Sequence, residues 1–446
     1  MKFREGLIYM KKRSSVCRLA AMSVVATAAI QMSLATAHLH ADILHAKVVS
    51  ENPVDHTPHV LDGTVYALAV VGDKVVVGGN FTQIQEAAAG SPVMNRKNLF
   101  AFDINTGKVD AGFVPEVDDV VRSLAPGGDD TVYVGGDFKT VNGALMRRLA
   151  RLKIADGVAH PSFTRVQINW GRLQTMTRRG DHLYIGGSLD TITDSVTGIT
   201  RKAVARLDAE TGAIDPAFDI VVSEPRAEDA SLTVKNLAVN PADSKMVISG
   251  TFTVVNGQSR SQIALIDLGT APQLSSWATE KFTPTCSTQY DTYMRGMDFS
   301  PDGQYFVITT TGGAGYGTST MCMSASRWET DRIGPGQQPT WTNYTGGDTL
   351  LSVSVTGAAV YVGGHQRWMD NPRGNGNAGP GAIERTGIAA IDPDSGKSSD
   401  IPWNPTRDRG VGVEALVATS NGLLVGSDTD QLGHEYHGRV GMFPLD

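Results

Sequence analysis

At 446 residues, with 49 glycines and only 19% charged and 7% aromatic residues, the chain has the profile of a turn-rich all-β protein and not of a helical or fibrous one. Residues 1–37 hold six of its 39 basic residues and one of its 46 acidic ones, so the remainder carries 33 against 45, a formal charge of −12. A surface that acidic argues against nucleic acid and anionic lipid as partners.

The first segment differs in kind from the rest. Lys2, Arg4, Lys11, Lys12, Arg13 and Arg18 precede an apolar run from Leu19 to Ile30 that ends at Ala35-Thr36-Ala37. A basic region, an apolar region and an A-x-A site predict a signal peptide over 1–37, with 38–446 a single mature domain that is secreted or displayed at the cell surface. Polar interruptions shorten the apolar run, which disfavours the alternative of a retained anchor, and no transmembrane segment is expected after removal.

Beyond a polar stretch, Val75-Val76-Val77-Gly78-Gly79-Asn80-Phe81 introduces a unit that recurs along the chain. It returns at Val132 to Phe138, Leu183 to Leu189, Met246 to Phe252 and Val360 to His365, with degenerate copies at Tyr305 to Thr310 and Leu423 to Asp428. Anchors at 78, 135, 186, 249, 309, 363 and 426 are separated by 57, 51, 63, 60, 54 and 63 residues. So regular a period means one supersecondary unit per repeat. Each pair of glycines reads as a tight turn ending a strand, with φ > 0 available to both.

Within a repeat the pattern predicts four strands. In the first, Thr64 to Val70, Val75 to Val77, Leu99 to Asp103 and Lys108 to Val114 are separated by Gly72-Asp73, a longer loop and Asn105-Thr106-Gly107. Four antiparallel strands per repeat and seven repeats predict a seven-bladed β-propeller. The last repeat stops where its fourth strand should begin, and Ile43-Leu44-His45-Ala46-Lys47-Val48-Val49 is spare at the other end. The ring is therefore predicted to close through an N-terminal strand.

Cys17 leaves with the signal, and Cys286 and Cys322 fall within one repeat of an exported chain, which predicts a disulfide. Residues following each Gly-Gly pair should form a ring on one face: Asn80, Asp137, Ser188, Thr251, the Gly312-Gly313 stretch, His365 and Asp428. The first four are short acceptors suited to turn amides. Repeats six and seven depart from that pattern, and their loops supply the candidate ligand site: Asp348, His365, Gln366, Arg367, Trp368, Trp403, Arg409, Asp428 and Asp430. An aromatic platform with planar hydrogen-bonding groups suits a sugar or another polar ligand. Packing of these loops on one another, with Trp368 and Trp403 in a small core of their own, is the competing reading. Asp428 and Asp430 have calcium-like spacing, but the D-x-D-x-D-G pattern is incomplete and no metal is expected. No nucleophile elbow or phosphate loop occurs, so no catalytic residue is assigned.

The units VYVGGDF…VNG…RLARL…DG…PSF (Val132 to Phe163) and LYIGG…RKAVARLDAETGAIDPAF (Leu183 to Phe218) closely resemble the delta-sixty repeat, a bacterial propeller repeat common in exported actinobacterial proteins. The resemblance spans Asp62 to Asp446 and implies a propeller outside the cytoplasmic membrane, with no activity or site residue attached. AFDINTGK (Ala101 to Lys108) and AIDPDSGK (Ala390 to Lys397) are more loosely similar to pyrroloquinoline-quinone propellers. In those proteins this turn serves the blade, and the tryptophan that follows it there is absent after Gly107 and Gly212, so no cofactor is expected. The resulting expectation is a monomeric binding module for carbohydrate or an extracellular protein. The alternative is an extracellular polysaccharide hydrolase or lyase using Asp and His residues of the same face.

Overall fold

Runs of Val, Ile, Leu and Tyr ahead of each anchor form strands, as their β-branched and aromatic content favours, and each is the middle strand of an antiparallel sheet. In the first sheet Lys74–Gly79 lies between Val65–Val71 and Leu99–Asp103. The second repeats the order with Val121–Pro126, Thr131–Gly136 and Leu149–Lys153, and the third with Leu173–Arg179, His182–Gly187 and Val204–Asp208. Sheets four to seven are centred on Lys245–Gly250, Tyr305–Thr310, Val360–Gly364 and Gly422–Ser427. This computed structural model describes residues 43–284 and 286–445; the segment 1–37 expected to be a signal peptide lies outside them. The chain is all-β: a 3-10 turn at Gly317–Ser319 is the one helical element among the described residues. No helix among them is long and apolar enough to cross a membrane.

Four strands per repeat is corrected by the structure. Only the fourth and fifth sheets have a fourth strand, Gln273–Leu274 and Trp341–Tyr344. In the first three repeats it shrinks to single bridges, Phe102 with Val109, Leu152 with Ala159 and Leu207 with Ile214. The cause is local. Asp110 accepts hydrogen bonds from the amides of Gly112 (2.9 Å) and Phe113 (3.2 Å), which bends the chain and drops Phe113 into the core, where Phe163 and Phe218 also sit. The preceding D-x-x-T-G turn is scaffold as well: Asp103 accepts the Asn105 and Thr106 amides, and Gly107 adopts φ 69°.

The innermost strands pack side by side in chain order, and that of the seventh sheet, Val413–Thr419, also packs on that of the first. Here the glycine pairs have a different use from the expected one. Gly78, Gly79, Gly135, Gly136, Gly186, Gly187, Gly363 and Gly364 lie in or at the end of strands, and none has a positive φ. They are close-approach glycines, not turn glycines. The first of each pair faces the apolar residue that opens the next inner strand: a Cβ at Gly186 would come 2.9 Å from Val234 Cγ1, and one at Gly426 2.7 Å from Val65 Cγ1. The second lies against the carbonyl just before its own inner strand, Thr64 for Gly79 and Arg172 for Gly187. In the fifth sheet Thr309 occupies the anchor, and the small residue moves to Gly296, whose Cβ would meet Ser352 Cα at 2.8 Å.

The N-terminal segment reaches the seventh sheet, though Ile43 to Val49 forms no strand. His45 makes an isolated parallel bridge to Gly357, and its Nε2 lies 2.9 Å from Thr419 O. Farther along, Ser50 N–H donates to Pro444 O and Val54 N–H to Met442 O, both at 2.9 Å. Between these points Val49 is buried, and its N–H donates to the Tyr361 hydroxyl (2.9 Å). Cys286 and Cys322 form a buried disulfide with Cα atoms 5.8 Å apart, fixing the loop that leads into the fifth inner strand.

Candidate functional site: a cavity lined by the inner strands

The loops of repeats six and seven hold most of the expected site residues, and they are largely bonded to one another. Asp348, 4% exposed, accepts two hydrogen bonds from the Arg367 guanidinium (2.9 and 3.0 Å) and a third from the Arg367 amide (3.0 Å). Arg409 approaches the same carboxylate at 3.5 Å, and its Nε donates to His365 O (2.9 Å). His365 Nδ1 lies 3.1 Å from Val411 O, while Asp428 accepts the amides of Val411 (2.6 Å) and Gly412 (3.0 Å). Asp428 is thus a turn acceptor like Asn80, which takes the Thr64 amide, and is not set apart from it.

Four members do not fit a ligand platform. Trp403 is 3% exposed and packs edge-on between Tyr361 and Phe443, each 5.2 Å away, with its Nε1–H donated to Ser50 O (3.0 Å). It is core, remote from solvent, which corrects its expected role. Trp368 is partly exposed but carries the Arg367 guanidinium 4.1 Å from its ring centre. Gln366 is fully buried at the position that Phe81, Phe138 and Phe252 fill in other repeats, and its amide group has no hydrogen-bond partner among the described residues. Asp430 is taken by Arg439 at 2.8 Å. No group of three or more His, Cys, Asp or Glu residues among the described ones is placed to hold a metal ion.

A second location was not read from the sequence. Each of the seven innermost strands shifts register near its start, between Val65 and Ala67, Val121 and Ser123, Leu173 and Thr175, Val234 and Asn236, Met294 and Met297, Leu350 and Ser352, and Val413 and Ala415. A bulge re-aims the side chain it leaves unpaired. The residues within these bulges, Tyr66, Arg122, Gln174, Lys235, Arg295, Leu351 and Glu414, all line one cavity of about 560 Å³, and all seven are half-buried. Gln289, Tyr290, Asp291 and Thr292, on the loop that follows Cys286, form a further wall. A signal did exist: these residues lie 12 to 14 positions before the seven anchors and form a variable, mostly polar column, each directly after the apolar residue that opens its strand.

Electrostatics separate this cavity from the loop sector. Arg122 is neutralised by Asp137 through two hydrogen bonds (2.9 and 2.7 Å), which hold its guanidinium above the usual range. Among the described residues Lys235 has no close ion-pair partner or hydrogen bond; burial first, and then the neighbouring Arg295, push it down to about 8. Arg295 is also lowered by burial. It donates to Thr292 O (2.9 Å) and Met294 O (2.7 Å) and lies 5.2 Å from the Tyr290 ring centre, but meets no carboxylate. Glu414 is pushed above the usual carboxylate range by burial, against the pull of Lys235. Gln174 Oε1 is buried without a hydrogen bond.

Residues 242–268, which cover most of the fourth sheet's middle and third strands, match the family model described as "Domain of unknown function (DUF5122) beta-propeller". The fold is a β-propeller. No curated protein matches the chain. Among solved structures it is similar to the crystal structure of the computationally designed Ika8 protein, at 14% identity over 89% of this chain and 99% of that one, with a TM-score of 0.46. At that score the likeness decides nothing further about this propeller.

Proposed function

We propose that this propeller is an exported, monomeric binding protein, a closed ring of seven blades whose axial channel holds a small polar ligand. Packing of the last inner strand on the first, and the bonds from Ser50 and Val54 to the final strand, support closure with the N-terminal segment as the tie. Export is supported by the composition of residues 1–37 and by a structural disulfide, which persists outside reducing compartments.

One observation carries the assignment of the site. Seven bulges aim seven side chains into a cavity of ligand size, where Gln174 Oε1 is buried without a hydrogen bond and Lys235 and Glu414 make no hydrogen bond or close ion pair among the described residues. Buried polar groups ordinarily find partners, so a cluster that does not is arranged for something else. The loops of blades six and seven, where a carbohydrate or protein partner was expected, serve instead as support, since their charges already face each other.

The test is thermal melting of residues 38–446 against a library of small metabolites and oligosaccharides. Ligand-induced shifts that vanish in Lys235→Met or Glu414→Gln and survive in Trp368→Ala are expected. Shifts that vanish only in Trp368→Ala would return the site to the loop sector.

A further inference from the structure

Resting on the reading of the channel as the binding site, the identity of its charges says what kind of group is bound. With Arg122 paired to Asp137, the acidic and basic side chains left lining the cavity are Lys235, Arg295, Glu414 and Asp291. Asp291 is exposed on the covering loop, and Glu414 is held toward its neutral form by burial. The interior therefore holds two cations on adjacent inner strands, neither in a close ion pair among the described residues, against one acid. This cationic spot lies inside a mature chain whose formal charge is −12, so it is not the outcome of a generally basic composition.

We propose that the channel ligand bears an anionic oxygen group, a carboxylate or a phosphate, seated between the Lys235 ammonium and the Arg295 guanidinium beneath the Tyr290 ring. Mutual repulsion of the two cations is what an anion there relieves, and desolvation inside the channel strengthens the pairing relative to water. The covering loop is in place beforehand. Arg226 Nη1 donates to Tyr290 O and Asp291 O, both at 3.3 Å, Ser287 N–H donates to Gly312 O at 2.9 Å, and the Cys286–Cys322 disulfide pins the loop at its start. A roof fixed in this way lowers the ordering cost of binding.

The experiment uses four probes on the mature protein, succinate, inorganic phosphate, glucose and putrescine, followed by calorimetric titration and thermal melting. Succinate or phosphate should bind, with affinity at least tenfold weaker in Lys235→Met and largely kept in Lys235→Arg; which of the two binds names the anion. Circular dichroism checks that both variants are folded. Binding of succinate or phosphate that is indifferent to Lys235→Met overturns the proposal. If instead glucose or putrescine binds and Glu414→Gln abolishes it, the channel stands as the site and the anion proposal falls. If none of the four binds, the anion proposal falls, and the channel reading is decided by the metabolite and oligosaccharide melts.

Discussion

The loops of repeats six and seven and the channel lined by the inner strands are both rich in charge, aromatic rings and amides, yet one is closed upon itself and the other is not. In the loops every conspicuous acid has a protein donor: Asp348 has Arg367, Asp428 has two backbone amides, and Asp430 has Arg439. In the channel Lys235 has no acceptor and Glu414 no donor within hydrogen-bond distance among the described residues. Composition alone does not distinguish a ligand site from a packed loop cluster, because the same residue types build both. What distinguishes them is whether hydrogen-bonding capacity is used up inside the protein.

That contrast can be broken by substitution. Trp403→Ala should cost about 3–5 kcal/mol, as loss of a buried aromatic ring does, and should lower the denaturant midpoint sharply; a loss below about 1 kcal/mol would mean that the ring is not core. Asp348→Ala, which strands the guanidinium groups of Arg367 and Arg409, should cost about 2–3 kcal/mol by the same measurement. Lys235→Met should have the opposite sign. It should stabilise the free protein by about 1–2 kcal/mol at pH 7, less than the full electrostatic cost because the channel admits water, while removing ligand binding. The pH dependence follows from the lowered lysine. Between about 8 and its ordinary 10.5 the folded protein holds fewer protons at Lys235 than the unfolded chain, so wild-type stability gains as pH rises through that window. The advantage of Lys235→Met should shrink there, as paired melts at pH 7 and pH 10 would show. Trp368→Ala should be the mildest, within about 1 kcal/mol and without effect on channel ligands.

Much of the architecture was legible in the sequence because the glycine pairs recur at a fixed interval and a repeat fixes its own boundaries. Their mechanism was not legible, since a glycine required by a neighbouring sheet and one required by a turn look alike until φ is known. The fourth strands were overread for a related reason. Apolar residues such as Val109, Val158 and Ile214 suggest a strand, but Asp110 and the plug residue Phe113 bend the chain after one bridge. Trp403 was misplaced because an aromatic in a long loop is as ready to fill a core as to face a ligand. The channel residues are hard to read from the sequence because each repeat contributes one position of differing chemistry, from Lys235 to Leu351, and only aligning the seven repeats on their anchors makes them a column.

The contact of Gly426 with Val65 joins the last repeat to the first as Gly186 with Val234 joins the third to the fourth. At the level of side-chain fit the last repeat meets the first as neighbours in the chain meet. Gly78 with Val121, Gly135 with Leu173 and Gly363 with Val413 repeat the fit, while the fourth and fifth repeats, with Ser249 and Thr309 at the anchor, make their seams differently. A chain rejoined through a short linker and reopened at one of the glycine seams would therefore meet the same contact again, at the loss of the bonds that His45, Ser50 and Val54 make to the later repeats.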